Sequence, residues 1–137
     1  MPAQPNVEAV GRWSSVQVDC ADPIAEATFW ADVLGSTVDE TIGDPPHYVV
    51  VSPTASGGPW LSFQRVPESK AGKNRLHLDV VVEDLDGGSK RIEELGGRRA
   101  PGPDLEECGF RWRLMTDPEG NEFLPDPRLR AATRRRV

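Results

Sequence analysis

No stretch of the 137-residue sequence approaches the ~20 consecutive apolar residues that span a bilayer. The opening Met1-Pro-Ala-Gln-Pro-Asn has neither the basic end nor the apolar run of a signal peptide. Both absences lead to the expectation of a soluble, cytoplasmic protein with no membrane contact. Cysteine is scarce: Cys20 and Cys108 stand alone, outside any Cys-x-x-Cys or Cys/His spacing, which excludes zinc-finger and thiol-redox motifs. No His stands at catalytic spacing from either, so both read as free thiols. Positive charge is short as well. Sixteen Lys and Arg face 22 Asp and Glu, a formal −6, and Arg128, Arg130, Arg134, Arg135 and Arg136 crowd into the last ten residues, so removing those five charges leaves −11. A body that acidic lacks the basic stripe a phosphate backbone needs, and nucleic acid is not an expected partner. The arginine tail, 127–137, reads as a solvated terminus able to touch an acidic partner.

What remains is one domain's worth of chain, 37% hydrophobic and long enough to bury a core without disulfides or a structural metal. Residues 1–12 are polar and form a mobile lead-in. Val16 and Val18 alternate with polar neighbours over 13–19, a strand with one apolar face. Asp22-Pro23 is a capping carboxylate followed by proline at the first helical position. Ala27, Trp30, Val33 and Leu34 then recur at helical spacing, and Gly35 supplies the stop, predicting a helix over about 23–34. Strands follow over 36–42, 48–52 and 60–65, separated by Pro/Gly-rich turns. The polar stretch 66–74 is the joint between two halves. Beyond it the pattern predicts a strand over 76–82 and a helix capped by Asp84 or Asp86, with Leu85, Ile92 and Leu95 inward and Gly96-Gly97 at its end. Gly87-Gly88 predict a loose first turn for that helix. A stub at 98–100, one strand over 110–115 and another over 121–124 complete the chain.

The order strand, helix, three strands therefore occurs twice. A shift of 62 residues sets Val16 on Leu78, Val18 on Val80, Asp22 on Asp84 and Leu61 on Phe123. The chain reads as an internal duplication of a βαβββ unit, with modules 13–65 and 75–126.

Three runs carry a family resemblance: Asp22-Pro-x5-Phe29-Trp30-x3-Leu34-Gly35, then His77-Leu-Asp-Val with Asp84 after it, then Asp117-Pro-Glu-Gly-Asn-Glu-Phe123. Over about 13–126 the chain resembles the glyoxalase/bleomycin-resistance/extradiol-dioxygenase group, the vicinal oxygen chelate superfamily, and more narrowly its glyoxalase-like domain branch. The resemblance implies an α+β fold in which two βαβββ modules form a half-open, eight-stranded sheet whose concave face is the site. It also implies four metal-ligand positions, which fall on Ser15, Ser62, His77 and Leu124 and obey the 62-residue shift. Of these only His77 binds a metal well, and a catalytic site needs about three N, O⁻ or S⁻ donors. Glyoxalase-type isomerisation and extradiol cleavage both need the ion to polarise substrate oxygens, so neither a metal nor another cofactor is expected. Gln17, Asp19, Gln64, Asp79 and Glu122 lie two residues along the same strands, and a displaced site on His77, Asp79 and Asp19 stays open.

Strand parity gives the inner face independently. With the valines of the first strand and Leu78, Val80 and Val82 against helices, the opposite face shows Ser15, Gln17, Asp19, His77 and Asp79. The same parity adds Trp60, Ser62 and Gln64, then Glu122 and Leu124. Polar groups edged by aromatics suit a small or medium ligand with a π-face and hydrogen-bonding edges. Trp112 alternates with Arg111 and Arg113, so one face of its strand is basic and the other aromatic, with either able to point inward. Trp30 reads as core. His77 reads as a ligand contact, a metal ligand, or simply a hydrogen-bond partner of Asp79 or a neighbouring strand. Asp19 and Asp79 read as an acid/base pair or as solvated carboxylates.

Three functions compete on these residues. The first is metal-independent binding of an aromatic metabolite or drug-like ligand. The second is a lyase or isomerase using His77 with Asp19 or Asp79, and the third is a module that binds a partner through the basic tail. A homodimer is expected, since half-open sheets leave edges to be covered and single-duplication members of the family commonly dimerise.

Overall fold

The computed structural model describes residues 8–54 and 57–127. Of the expected lead-in 1–12, residues 1–7 lie outside the described residues, as do 128–137 of the arginine tail. No helix among them is long and apolar enough to cross a membrane.

The first module runs β1 (Ser15–Cys20), α1 (Pro23–Leu34), β2 (Val38–Ile42), β3 (Tyr48–Val51), β4 (Trp60–Arg65). Its sheet has the order β1-β4-β3-β2, with β1 parallel to β4 and the other pairs antiparallel. The second module runs β5 (Leu78–Val81), α2 (Leu85–Glu94), β6 (Arg98–Arg99), β7 (Leu105–Glu107), β8 (Phe110–Trp112), β9 (Met115–Thr116), β10 (Glu122–Asp126). Its sheet has the order β5-β10-β9-β6, again with first strand parallel to last. The duplication extends to register. Val16 pairs with Leu61 in the first module and Leu78 with Phe123 in the second, a pairing the 62-residue shift maps onto itself. Both helices are capped alike, Asp22 Oδ1 accepting from the Ala25 amide at 3.1 Å and Asp84 Oδ2 from the Gly87 amide at 2.6 Å.

The α+β architecture is as expected, with differences in detail. The eight module strands form two four-stranded sheets in which β1 and β5 are both edge strands, in place of one continuous sheet. The segment 110–115, expected as one strand, is broken into β8 and β9. The cause is β7, which the sequence reading left as loop: it pairs with β8 in a separate hairpin. That insertion moves the register, so that Met115 pairs with Phe123 where the shift of Val51 would put Arg113. Arg113 is instead buried and ties the hairpin to α2, donating to Asp104 (2.7 Å), Asp86 (2.8 Å) and Ser89 (3.0 Å). Hydrogen bonding to Arg113 holds the Asp104 and Asp86 carboxyls below their ordinary range.

The first turn of α2 is not loose. A Cβ on Gly87 would meet Asp84 Oδ2 at 2.7 Å and one on Gly88 would meet Val82 Cγ1 at 3.0 Å, so the two glycines let the cap and the preceding strand close in. Helix α1 covers β3 and β4, burying Val49, Val51, Leu61 and Phe63. Its own Phe29 and Trp30 reach the other module: Phe123 stacks edge-on against Trp30 (centroids 4.9 Å) and Phe29 (6.1 Å). A Cβ on Gly97 would come within 3.2 Å of Phe29 Cζ and 2.6 Å of Ile92 Cγ2. One hydrophobic core thus joins the modules, containing Trp30, Phe63, Ile92, Met115 and Phe123.

Candidate functional site

Because β1 is the unpaired edge of one sheet and β5 that of the other, a gap remains between them. It is a cleft of about 630 Å³. Its apolar wall comes from Val16, Val18, Leu61 and Phe63 of the first module, Leu78 of the second, and Trp30 beneath. Trp13 and Leu76, the residues leading into β1 and β5, stand at its edge 91% and 84% exposed. Side chains that apolar are exposed to water only at a cost, and two of them lining one cleft mark it as a candidate binding surface. The polar wall is Gln17, Asp19, His77 and Glu122, with Lys70, Lys73 and Asn74 from the joint between modules.

Lys73 Nζ donates to Glu122 Oε1 at 2.7 Å, and that bond holds the Glu122 carboxyl below its ordinary range. His77 Nδ1 lies 3.0 Å from Asp79 Oδ1, with both side chains nearly half exposed. The cleft floor is stiffened by the turn 117–121. Asp117 Oδ2 accepts from Trp30 Nε1 at 3.2 Å, and Glu119 accepts from the Ala21 and Asp22 amides, each at 2.8 Å, at the start of α1. Cys20, buried beside this turn, has its thiol pushed up to about 12, first by burial and then by the Glu119, Glu26 and Asp22 carboxyls, which leaves it unreactive.

Parity placed Ser15, Gln17, Asp19, Trp60, Ser62 and Gln64 on one face, and the β1–β4 register pairs Ser15 with Trp60, Gln17 with Ser62 and Asp19 with Gln64. Asp79 likewise pairs with Leu124. The cleft nevertheless collects only part of the set, namely Gln17, Asp19, His77 and Glu122. Asp79 lines a smaller hollow of about 180 Å³ on the far side of Trp30 and Leu78. Ser15, Trp60, Ser62, Gln64 and Leu124 lie along the sheets outside the cleft, Ser62 and Leu124 buried and Trp60 41% exposed. Trp112 is in the β7–β8 hairpin opposite Leu105, away from the cleft.

Sequence reasoning missed Trp13, Leu76 and the lysines, and it assigned Trp30 to the core alone. The available signal was that Trp13 and Leu76 are large apolar residues just outside two edge strands. Trp30 is both, 3% exposed and part of the cleft floor.

The donors present do not suit the metal of the family's enzymes. Two serines, one histidine and a leucine cannot supply three strong donors. Among the described residues no group of three or more His, Cys, Asp or Glu side chains could hold an ion, the set His77, Asp79 and Asp19 included.

Comparison with known proteins bears on the family and the fold. A sequence model of the glyoxalase-like domain matches residues 15–124. No curated protein matches the chain. A glyoxalase/bleomycin resistance protein/dioxygenase family enzyme from Burkholderia phytofirmans PsJN superposes with a TM-score of 0.66 at 17% identity, over 82% of this chain and 95% of that one. The fosfomycin resistance protein FosX from Listeria monocytogenes, complexed with Mn(II) and 1S,2S-dihydroxypropylphosphonic acid, gives 0.68 at 15% identity, over 87% and 91%. The oxidase ChaP-H2 gives 0.58 at 25% identity, over 87% and 96%.

Proposed function

This chain belongs to the glyoxalase-like domain family, and on that premise we propose that it binds a small or medium aromatic, drug-like metabolite without a metal ion, seated in the cleft between its modules. The observation that carries the reading is the cleft itself, where a tryptophan floor and apolar walls meet a short polar edge of Gln17, Asp19 and His77. An aromatic ring slides between Trp13 and Leu76 onto Trp30, and its polar substituents reach the Gln17 amide and the His77 imidazole. The volume suits a ligand of drug size. The FosX relative was solved with Mn(II). The positions that the family resemblance assigns to metal ligands hold Ser15, Ser62, His77 and Leu124 here, which supports binding without an ion.

The 3.0 Å contact of His77 with Asp79 favours one second reading. Asp79 fixes the imidazole orientation, leaving Nε2 free to take a proton from a bound ligand, as in an isomerase or lyase. A thermal-shift screen of aromatic metabolites, antibiotics and divalent metals, run with and without chelator, tests both. Binding raises the melting temperature by mass action. The binding reading expects aromatic hits that chelator does not abolish. About one tightly held metal per chain, lost in His77→Ala, overturns it. Ligand turnover abolished by His77→Ala, with binding retained, establishes the second reading.

A further inference from the structure

We propose that Glu26 of α1 carries a proton that it shares with Asp117, and that this proton closes the 117–121 turn of the second module onto the first and so positions Trp30 in the cleft floor. The inference does not depend on what the cleft binds.

Counting donors decides where the proton sits. Asp117 is 1% exposed and its oxygens accept four hydrogen bonds. Oδ1 takes the amides of Glu119 (3.0 Å) and Asn121 (2.9 Å), while Oδ2 takes Trp30 Nε1 (3.2 Å) and Asn121 Nδ2 (3.0 Å). Glu26 is fully buried. Its Oε1 accepts only a share of the Glu119 amide, at 3.1 Å, the same N–H that donates to Asp117 Oδ1, and its Oε2 has no donor among the described residues. An ionised carboxylate with a bare oxygen in a dry interior is strongly disfavoured. The shared Glu119 amide sets the Glu26 and Asp117 carboxyls side by side, and protonation turns the bare oxygen into a donor for its neighbour.

Two carboxyl groups in contact share one proton, and the one with a single donor keeps it. The groups around the pair point the same way. Asp117 and Glu119 face Glu26 from the turn, and the Cys20 thiol and Asp22 carboxyl lie ahead of the helix. The guanidinium of Arg65 is committed to the Ala21 and Pro46 carbonyls. Burial, followed by the bond to Asp117 and the neighbouring negative charge, pushes Glu26 up to about 9.

The motif residues thereby acquire a common purpose. Asp117 orients Trp30, Glu119 caps the start of α1 through Ala21 and Asp22, and Asn121 holds Asp117. Glu26 is the counterpart on the helix, and it acts through Asp117 without touching the cleft. Ionising it sets a second negative charge against Asp117 and strains the bonds that orient the indole.

The test uses full-length protein labelled with 5-fluorotryptophan, its ¹⁹F spectrum followed from about pH 6 to about pH 10.5 and the Trp30 resonance assigned with Trp30→Phe. The expected result is a one-proton transition of that resonance near pH 9. In Glu26→Gln, whose amide donates to Asp117 at every pH, the transition is absent and the resonance keeps its neutral-pH position. Should the variant fold poorly, the wild-type infrared spectrum decides: a protonated carboxylic acid band persists at about pH 7.5 and vanishes by about pH 10.5. A Trp30 resonance that titrates alike in both proteins, or does not titrate in the wild type, overturns the proposal, as does an infrared band missing at neutral pH.

Discussion

Phe123→Ala should destabilise both modules at once. The ring is fully buried, contacts Trp30 and Phe29 edge-on, and sits on a strand flanked by Leu78 and Met115. Removing a buried phenylalanine costs about 3–5 kcal/mol through lost transfer energy and the void left behind. Each aromatic contact adds about 0.5–1.5 kcal/mol within that range. The upper half applies here, since the void is walled by a helix of one module and strands of the other, and none can move inward without breaking its own packing. Against a total of about 5–15 kcal/mol, and with a urea slope of about 2 kcal/mol per molar, the midpoint should fall by about 2 M with unchanged slope. Urea titration followed by far-UV circular dichroism and by tryptophan fluorescence measures it, with the half-exposed Val81→Ala as a control expected within about 0.5 kcal/mol. A loss below about 1.5 kcal/mol refutes the shared core. So do two signals that separate, since one module would then be melting without the other.

Three further outcomes are expected. Glu26, ordinarily near 4.5 and about 9 in the folded chain, contributes stability that is fully present below about pH 4.5 and declines as pH rises to about 9. At about 1.36 kcal/mol per unit, roughly 3 kcal/mol of it has gone by pH 7, so Glu26→Gln should gain on the wild type across that window in urea titrations. A difference independent of pH refutes this. An aromatic ligand should quench tryptophan fluorescence and be weakened about 1–3 kcal/mol by Trp13→Ala, while Trp112→Ala leaves calorimetric affinity unchanged; the reverse pattern moves the site to the hairpin. The chain should scatter light as a homodimer at micromolar concentration, covering the edge strand β2 with its exposed Val38 and Ile42, and a particle of 15.0 kDa refutes it.

Much of the fold was legible because its signals are local. Asp22-Pro23 and Gly35 delimit α1, and alternation in 15–20 and 60–65 sets which residues share a face, as the register bears out. The β7–β8 hairpin was not legible. Leu105-Glu-Glu has no alternation of its own, and its pairing is organised by Arg113, which joins Asp104 beside the hairpin to Asp86, 27 residues away on α2. The glycines of α2 misled because their helix cost is read residue by residue, whereas the close approach of Asp84 to Gly87 and of Val82 to Gly88 appears only once the strand-to-helix corner is folded. The cleft was half legible. Parity found Gln17, Asp19, His77 and Glu122, but a space between two sheet edges depends on how the modules sit together, and no residue periodicity encodes that.

The strand order within each open sheet bears on how the two halves depend on one another. In both modules the first strand lies beside the last, so a module begins and ends on adjacent strands and a short connector suffices to join two in tandem. The ring of Phe123 is covered by Phe29 and Trp30 from the other module's helix, so the second module separated from the first would leave that face open. The joint at 66–74 makes the encounter of the two modules intramolecular, in place of a concentration-dependent association. The halves differ where they meet: the first has Phe29 and Trp30 on its helix, while the second has Arg91 and Ile92 at the corresponding positions and an added hairpin. Two fragments cut within 66–74 should accordingly recover the fold only when mixed.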